Sequence, residues 1–568
     1  LALATIAILG QAPRNPNAKF LLLVFAAIYS LSAFIVSAAA QSTTGIEAGK
    51  RIYREGVLPD GKSLRATVRG EPGVDGQRFN CATCHRRSGL GSSEGAAFVP
   101  PVTARWLFEP RNPRQIDLFK KLFQEVQPNR SRARLRDPRP RPAYTQETLS
   151  IALREGRDPT GREIDPLMPG YQLSDEDLRT LIAYLKTISA TASEGVSDST
   201  IHFATVVAQG ADAEKRAAMM DVFEAYFRWK NADTRRLLDR PRSVVWYKDE
   251  FYAAARQWKL HVWELNEREE TWPAQLEAYY RQQPVFALIG GIAEEWRAVH
   301  DFCERKELPC LFPRTDLPGT SPAVYSIYFS RGLTLEAEAL ANYVRDKMKA
   351  ARIVQVYRAS HSGLEPARAF RRGLENRDVN LKDYAIKGGR EITREFWEKF
   401  VKNEKPSSLV LWLSDVDLKS LNSPQDLLRG VERIYLSSSL LEEIPAFVAG
   451  LREKILLTHP FALRETPHVY RVRAWMRSRG MAMSHEQTQL NTYFTLSLID
   501  HALARMADNF YRDYFLETIE QETENETNPG VFPTLSLGPG QRFASRGCYI
   551  VRLTDKGGFE AVSGWIVP

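Results

Sequence analysis

The chain is poor in the sequence patterns that mark common catalytic centres. It contains no GxSxG sequence, no Walker loop and no GxGxxG sequence, so no motif supports a separate catalytic centre. Its nine histidines show no HxH or HExxH spacing, so they predict no metal site of that kind. Cysteine is also scarce, with five in 568 residues.

Long apolar runs are almost as rare. One run, residues 20–36, follows two basic residues and ends before Ala38-Ala39-Ala40, which fits a small-residue cleavage site. Residues 1–40 are therefore interpreted as a leader with a signal peptide. The run is also just long enough to span a bilayer if it is not cut, so retention as an anchor in the inner membrane is the alternative. Both interpretations place the rest of the chain in the periplasm of a bacterium.

The length exceeds that of one domain, and about three or four units are expected from it. Hydrophobic residues make up 43% and charged residues 26%, as in ordinary globular proteins. A polar stretch around residues 190–200 is rich in Ser, Thr and Ala, and we interpret residues 193–200 as a linker. The chain is thus predicted to divide into residues 42–192 and 201–568.

The strongest motif is Cys81-Ala-Thr-Cys84-His85, the attachment signature of a c-type haem. Each thiol adds to a haem vinyl group, so both sulfurs have to reach one edge of the porphyrin, and His85 then ligates the iron from the proximal face. A zinc-binding or redox-active CxxC is the alternative. The motif predicts one haem c, bound through Cys81 and Cys84 with His85 as an axial ligand. Covalent haem attachment in bacteria takes place outside the cytoplasm, which agrees with the leader.

Met168 is the candidate for the second axial ligand. It is the first methionine of the chain and lies in Asp165-Pro-Leu-Met168-Pro169, just before a helical pattern that begins after Ser174. A thioether ligand raises the potential of the iron. Ligation by His85 and Met168 predicts a six-coordinate iron that carries electrons. Core packing is the alternative role for Met168.

These motifs together resemble those of monohaem cytochrome c domains over residues 42–192. The resemblance rests on Gly49-x-x-x-Tyr53, the CxxCH motif, the Met168-Pro169 loop and a last helix that bears Tyr184. It implies an all-α fold in which the first and last helices cross, with Gly49 or Ala48 opposite Tyr184. The stretch between His85 and Met168 is longer than in a minimal cytochrome.

That longer stretch is strongly basic. Residues 105–141 contain 11 Lys/Arg and 4 Asp/Glu, and the densest part is 130–141. An acidic redox partner or membrane headgroups would be steered by such a patch. A solvated loop without a partner is the alternative. Nucleic acid is not expected as a partner of an exported haem protein.

After residue 200, apolar runs alternate with helical patterns, which predicts βαβ units with parallel sheets. The predicted strands are 201–207, 260–265, 285–290, 310–312, 352–357, 381–386, 408–413 and 433–437. Because there are two such series, two lobes are expected. The tail from residue 532 is predicted to hold antiparallel strands separated by Gly and Pro turns.

Residues 201–568 resemble type I periplasmic binding proteins, the class of the branched-chain amino-acid receptors. The resemblance rests on residues 287–291, 302–313, 325–329 and 565–568. It implies a two-lobed α/β fold with a ligand between the lobes. The cleft residues that it implies are Gly290, Gly291, Tyr328, Arg358, Ser360 and His361. Arg358 and His361 replace residues that are commonly acidic in these receptors, so an anion or another polar organic ligand fits better than an amino acid.

The remaining cysteines predict one disulfide. Cys303 and Cys310 flank a short loop, and in an exported protein we expect them to pair, provided that their geometry permits it. Cys548 is then left as a small buried apolar residue.

The sequence therefore predicts an exported electron-transfer protein rather than an enzyme. Its binding-protein-like domain would sense a ligand or dock a periplasmic redox partner. By analogy with accessory proteins of alcohol oxidation systems, that partner is a quinoprotein dehydrogenase, or otherwise an acidic cytochrome. Two alternatives remain. One is a solute-binding receptor of an ABC-type uptake system for an amino acid or another small polar ligand. The other is a haem enzyme such as a peroxidase, against which the Met ligand argues.

Overall fold

A computed structural model describes residues 45–68, 71–94, 97–111, 140–239, 254–319, 323–345, 352–375, 379–389, 391–421, 426–441, 446–464, 467–524, 531–538, 540–555 and 557–568. The predicted leader, residues 1–40, and most of the basic stretch, residues 112–139, lie outside these ranges. The chain divides into two compact units after Ala192. None of the helices within the described ranges is long and apolar enough to cross a membrane.

The first unit contains helices and small antiparallel sheets. Its helices are α1 (45–55), α2 (Cys81–His85), α3 (Ala104–Phe108), α4 (Gln146–Glu155) and α5 (Asp175–Leu185). Its strands are β1 (Arg65–Val68), β2 (Glu71–Asp75), β3 (Ser92–Glu94), β4 (Ala97–Val99) and β5 (Gly170–Gln172). They form an antiparallel sheet in the order β2-β1-β5 and a β3-β4 hairpin. The expectation of an all-α domain was therefore incomplete.

Local sequence signals account for the ends of the longer helices. Ser174 and Asp177 form a capping box at the start of α5, and Thr145 and Thr148 form one at the start of α4. Gly156 ends α4 in the left-handed conformation, with φ of 69°. Each of these helices buries an apolar face in one cluster, to which Leu149, Leu153, Leu178, Leu181, Ile182 and Leu185 belong.

The first and last helices meet at Gly49. A Cβ atom on Gly49 would lie less than 3.0 Å from the Thr180 carbonyl oxygen and less than 3.0 Å from Tyr184 Cβ. Tyr53, one turn later on α1, packs against Tyr184 with ring centroids 5.5 Å apart. The predicted opposition of Gly49 and Tyr184 is thus present.

Two helix–hairpin segments of the first unit have the same structure. In Arg54–Leu64 and Arg154–Ile164, each residue of the second segment lies 100 positions after its counterpart, and both contain Arg-Glu-Gly. Each segment closes with an equivalent backbone hydrogen bond, from Leu58 N to Lys62 O in the first and from Asp158 N to Arg162 O in the second, and each bond is 2.8 Å long. The sequence analysis did not detect this repeat.

The second unit begins with a parallel sheet in the order β10-β9-β8-β6-β7. Its strands are β6 (Thr200–Ala208), β7 (Gln257–Leu265), β8 (Ala287–Ile289), β9 (Cys310–Leu311) and β10 (Ser326–Ile327). The helices that accompany it are α6 (Ala213–Leu238), α7 (Trp272–Gln282) and α8 (Arg297–Lys306). The predicted βαβ pattern is confirmed here. The predicted linker, residues 193–200, belongs to this unit, and its last residue already lies in β6.

A second sheet has the order β12-β11-β13-β14-β15-β16-β17. Its strands are β11 (Arg352–Arg358), β12 (Asn380–Ile386), β13 (Ser408–Trp412), β14 (Arg433–Ser437), β15 (Ile455–His459), β16 (Tyr549–Leu553) and β17 (Phe559–Ala561). The first five are parallel, and β16 and β17 add antiparallel strands. Its helices are α9 (Leu333–Arg345), α10 (His361–Gly373), α11 (Arg394–Glu404), α12 (Asp415–Leu418) and α13 (Ala446–Gly450). We call the half built on strands β6–β10 lobe 1 and the half built on strands β11–β17 lobe 2.

Three further helices return the chain to lobe 1. They are α14 (Pro467–Arg477), α15 (Glu486–Met506) and α16 (Arg512–Glu524). Their apolar side chains share one core with Ile201 and Phe203 of β6. The chain therefore passes between the lobes after β10, after β15 and before β16. The antiparallel tail was predicted correctly for residues 549–553, whereas Phe532–Leu537 form no strand.

Candidate haem and ligand sites

The CxxCH motif forms a helix of its own. The side chain of Asn80 accepts a hydrogen bond of 3.0 Å from Thr83 N, which caps the start of α2. Helical spacing places Cys81, Cys84 and His85 on neighbouring positions of one side, because residues three and four apart are adjacent. Cys81 and His85 are buried and Cys84 is exposed.

His85 presents one nitrogen that is buried and unpartnered. Its Nδ1 lies 2.8 Å from the Pro100 carbonyl oxygen, which can only accept, so Nδ1 carries the proton. Nε2 is buried and has no hydrogen-bond partner. Burial also lowers the pKa of His85, which favours the neutral ring. An axial iron ligand has to be a neutral imidazole that offers the lone pair of one nitrogen and is held through a hydrogen bond by the other. His85 meets both conditions, through Nε2 and Nδ1 respectively.

The backbone around α2 is held by side chains from elsewhere in the unit. Tyr53 Oη donates to the Arg86 carbonyl at 2.8 Å, and Ser92 Oγ donates to the Cys84 carbonyl at 2.8 Å. Tyr171 Oη donates to the Phe79 carbonyl at 2.7 Å. These contacts orient the motif.

The state of Cys81 bears on the alternative functions of CxxC. Burial raises the pKa of the Cys81 thiol to about 12, so this cysteine is not a thiolate at neutral pH. Thiol–disulfide exchange depends on the thiolate, so a protonated Cys81 does not favour a redox role. No group of three His, Cys, Asp or Glu side chains that could hold a metal ion lies within the described ranges, so the zinc alternative lacks further ligands there. The site therefore fits haem attachment better than it fits either alternative.

Met168 lies in a turn whose backbone is fixed by a hydrogen bond of 2.8 Å from Met168 N to Asp165 O. The side chain is half-buried and packs against the apolar cluster that contains Cys81 and Tyr171. The structure thus brings Met168 and Cys81 to the same cluster. Leu167 beside it is 47% exposed, so this turn also reaches the surface.

The predicted ligand residues of lobe 1 are engaged in packing. Gly290 and Gly291 follow β8, and both have positive φ. A Cβ atom on Gly291 would meet the ring of Trp296, so the absence of a side chain permits this contact. Tyr328 is 1% exposed, and His300 Nδ1 lies 2.7 Å from its hydroxyl. The Tyr328 side chain belongs to the core of lobe 1 and also lines the cavity between the lobes, so its role in holding a ligand stays a prediction.

The predicted residues of lobe 2 lie at the end of β11 and the start of α10. Arg358 forms an ion pair with Asp417, with Nη2 and Oδ1 2.5 Å apart, so its charge is already compensated. Ser360 and His361 are exposed. Burial raises the pKa of Glu295 of lobe 1, and the nearby His361 opposes that effect.

All five cysteines lie in the described ranges, and none forms a disulfide. The predicted bond between Cys303 and Cys310 is absent. The two thiols are fully buried and hydrogen-bonded to each other, and burial raises the pKa of Cys303 well above its ordinary value. Cys548 is buried, as expected, and its sulfur accepts a hydrogen bond of 3.1 Å from His459 N.

A cavity of about 90 Å³ lies where the chain passes between the lobes. Its polar lining consists of Arg314, Thr315, Asp316, Tyr328, Ser330, Ser439, Gln487 and Asn491. Burial raises the pKa of Asp316, and the nearby Arg314 opposes that effect. Of these residues, the sequence analysis named only Tyr328. A signal for the others was present, since Arg314-Thr315-Asp316 lies just beyond the buried strand β9, and ligands of parallel sheets bind at carboxyl ends of strands.

The lobes repeat one topology, with strand orders β7-β6-β8-β9-β10 and β12-β11-β13-β14-β15. Both correspond to the doubly wound order 2-1-3-4-5. With the CxxCH helix of the first unit, these features describe a haem-attachment domain followed by a two-lobed binding-protein fold.

Comparison with known proteins agrees with this description. Residues 47–189 match the family model for cytochrome c. No curated protein matches the chain. A branched-chain amino acid ABC transporter protein from Thermus thermophilus, solved with bound valine, shares 13% identity and a TM-score of 0.50, covering 66% of this chain and 98% of that one. A fatty acid ABC transporter substrate-binding protein from Thermomonospora curvata shares 15% identity and a TM-score of 0.47, covering 66% and 95%. The chain is thus a cytochrome c domain fused to a domain with the fold of type I periplasmic binding proteins.

Proposed function

We propose that this protein is a periplasmic electron carrier whose cytochrome domain binds one haem c through Cys81 and Cys84. The observation that carries the proposal is the buried, unpartnered Nε2 of His85, whose other ring nitrogen is fixed by the Pro100 carbonyl. Met168 is proposed as the second axial ligand, because it packs against the cluster that contains Cys81. No reaction of a substrate is proposed, since an iron with two protein ligands has no open position.

The bound haem supplies a one-electron couple at its iron. The residues of the chain set the conditions for that couple. The Pro100 carbonyl keeps His85 in the tautomer that offers Nε2, and Tyr53, Tyr171 and Ser92 hold the backbone of the motif. The apolar cluster around Cys81 excludes water and, with the Met168 thioether, favours a high potential.

The test is the absorption spectrum of the purified protein, oxidised and reduced, for wild type and Met168→Ala. We expect a low-spin spectrum with a sulfur-to-iron band at the red edge, which the substitution removes. The matched control is Met219→Ala, whose side chain is buried in the core of lobe 1. A high-spin wild type that Met168→Ala leaves unchanged would contradict the axial assignment and favour a haem enzyme.

We also propose a redox partner in the periplasm, either a quinoprotein dehydrogenase or an acidic cytochrome. The support is the excess of Lys/Arg over residues 105–141 and the analogy with accessory proteins of alcohol oxidation systems. Electron transfer to the oxidised protein should then slow steeply as ionic strength rises. A rate that does not depend on salt would exclude this partner class.

A second candidate function is ligand binding between the lobes, as in a solute receptor. The observation that favours it is the polar cavity at the passages between lobes, in which Arg314 and Asp316 place opposite charges. At about 90 Å³ the cavity holds about three waters, so a ligand has to be small or the lobes have to open. The structural neighbour from Thermus thermophilus, solved with bound valine, suggests valine as a probe.

Thermal unfolding of the whole protein tests this candidate. Glycine, valine, acetate and benzoate are added in turn, and a receptor should be stabilised by at least one of them. Arg314→Gln should remove that stabilisation, whereas Arg297→Gln, an exposed substitution on α8, should keep it. Stabilisation that persists in Arg314→Gln would place the ligand elsewhere.

A further inference from the structure

Three arginines and one tyrosine of the first unit lie together at the end of the basic stretch. Arg111 follows α3, Arg141 precedes α4, and Arg162 lies in the second helix–hairpin segment. The positive charges of Arg141 and Arg162 act to lower the pKa of Arg111, and the charges of all three arginines act to lower the pKa of Tyr144. Among the described residues, the one carboxylate that takes part is Asp158, which pairs with Arg162 at 2.9 Å. The group therefore has more positive charge than its own carboxylate compensates.

Arg141 is a fixed cation within this group. It is 6% exposed, and its guanidinium donates to the carbonyls of Trp106, Leu107 and Pro142, the last at 2.8 Å. The guanidinium also lies 4.4 Å from the centroid of the Tyr144 ring. Carbonyl oxygens satisfy its donors but carry no full negative charge, so the charge itself is not neutralised.

Arg111 has a donor without an acceptor. Its backbone N donates to the Arg141 carbonyl at 2.9 Å, which holds the two residues side by side. Its side-chain Nε is buried and has no hydrogen-bond partner. Burial, together with the neighbouring charge of Arg141, lowers the pKa of Arg111 to about 10. A buried donor without a partner and a buried charge without a counterion both cost free energy, unless an anion satisfies them.

Asp158 cannot serve as that anion for Arg111. Its carboxylate already accepts hydrogen bonds from Thr160 N at 2.8 Å, Thr160 Oγ1 at 2.7 Å, and Arg162 N and Nε at 3.1 and 3.0 Å. The same carboxylate closes the turn of the hairpin. Within the part of the chain that the structure describes, Arg111 Nε therefore lacks an acceptor.

We propose that Arg111, Arg141, Arg162 and Tyr144 form a binding site for a carboxylate or phosphate-type anion. Guanidinium groups suit such oxyanions because they donate in a planar fork. Two sources have this chemistry: a propionate of the bound haem, and a free anion from the solvent. Leu107 and Tyr144 pack in the same cluster as Cys81 and Met168, which places the site beside the haem environment. The propionate source rests on the proposed haem function, whereas the free-anion source does not.

The experiment compares Arg111→Gln with Arg105→Gln and Arg111→Lys. Arg105 is exposed and lies 4.0 Å from Glu109, so its substitution removes an equal charge from the surface. Haem content is measured first, then the midpoint potential, and then thermal unfolding with increasing inorganic phosphate. Wild type is included in each measurement, so that the phosphate result does not depend on how Arg111→Gln folds.

If a propionate occupies the site, Arg111→Gln lowers the midpoint potential, because the loss of a nearby cation favours ferric haem. We expect about a tenfold change in the reduction equilibrium, which is about 59 mV for one electron. Arg111→Lys keeps most of the wild-type potential, Arg105→Gln has little effect, and phosphate stabilises no protein. If a free anion occupies the site, phosphate stabilises wild type and Arg105→Gln but not Arg111→Gln. The midpoint potentials of these three proteins are then equal.

The proposal is overturned if Arg111→Gln and Arg105→Gln have equal potentials and phosphate stabilises neither wild type nor Arg105→Gln. It is also overturned if phosphate stabilises Arg111→Gln as strongly as wild type while the potentials agree. Absence of covalent haem from the wild type would contradict the proposed function and the propionate source. The phosphate titration would then decide the anion site by itself.

Discussion

Gly49 lies where α1 crosses α5, and its missing side chain lets the two helices approach. We expect Gly49→Ala to destabilise the cytochrome domain by about 1–3 kcal/mol, because the added Cβ meets the Thr180 carbonyl and Tyr184. Thermal unfolding followed by haem absorbance measures the effect. Gly45→Ala on the same helix is the control, since nothing lies within 4 Å of its Cβ position. Equal melting temperatures for the two variants would contradict the close crossing.

Glu336 is a buried carboxyl group of α9 and is 1% exposed. One of its oxygens accepts hydrogen bonds from Thr458 and, at 2.7 Å, from Ser437, while Oε1 has no partner. Burial raises its pKa from 4.5 to about 7. The folded state therefore binds more protons than the unfolded state between about pH 4.5 and pH 7, so stability falls as the pH rises through that window.

We expect Glu336→Gln to remove this pH dependence. The wild type should lose up to about 3 kcal/mol of unfolding free energy between pH 4.5 and 7.5 through this group, and the variant should not. Urea unfolding followed by tryptophan fluorescence at several pH values measures the difference. Glu338→Gln, whose carboxylate pairs with Arg331 near the surface, serves as control and should keep the wild-type slope. A wild-type slope in Glu336→Gln would show that other groups cause the dependence.

At the scale of elements, the two helix–hairpin segments offer a comparison within one domain. Gly56 and Gly156 occupy the same position, with φ of 66° and 69°. A Cβ atom on Gly56 would meet the Gly76 carbonyl, whereas nothing lies within 4 Å of the Cβ position of Gly156. The two segments thus share a backbone conformation but not an environment.

We expect Gly156→Ala to cost about 1–2 kcal/mol, because only the left-handed conformation is penalised. Gly56→Ala should cost more, since the clash with the Gly76 backbone is added. Haem-detected thermal unfolding of both variants gives the ranking. The reverse ranking would show that the segments differ in some other way.

At the same scale, the sequence predicted most strands of the two lobes, because a buried parallel strand is a short apolar run between helical patterns. It failed for β1, β2 and β5 of the cytochrome domain. β1 pairs with β5 across a long separation in the sequence, and β5 has only three residues, so no local period marks this pairing. Helices α14–α16 were also missed, although their pattern is local, because they interrupt the expected alternation of strands and helices.

At the scale of the whole molecule, the division after Ala192 predicts two unfolding transitions. Haem absorbance reports on the first unit. Tryptophan fluorescence reports mainly on the second, since ten of the eleven tryptophans follow Ser193 and only Trp106 precedes it. We expect the two signals to change at different temperatures, with Gly49→Ala shifting the haem signal alone. Coincident transitions that shift together in this variant would show that the units unfold as one.

The haem motif could be recognised from the sequence because the chemistry of covalent attachment confines Cys81, Cys84 and His85 to one helical turn. The two-lobed fold could be inferred from periodicity for the same reason, since strands and helices are specified by neighbours along the chain. The orphaned Nε2 of His85, the burial of Tyr328 against His300 and the thiol contact of Cys303 with Cys310 were decided by packing. Packing also decided the cavity beside Arg314 and left Arg111 Nε without a hydrogen-bond partner. Each of these features depends on residues brought together from distant parts of the chain. Only such long-range contacts determine whether a buried polar side chain finds a hydrogen-bond partner within the protein.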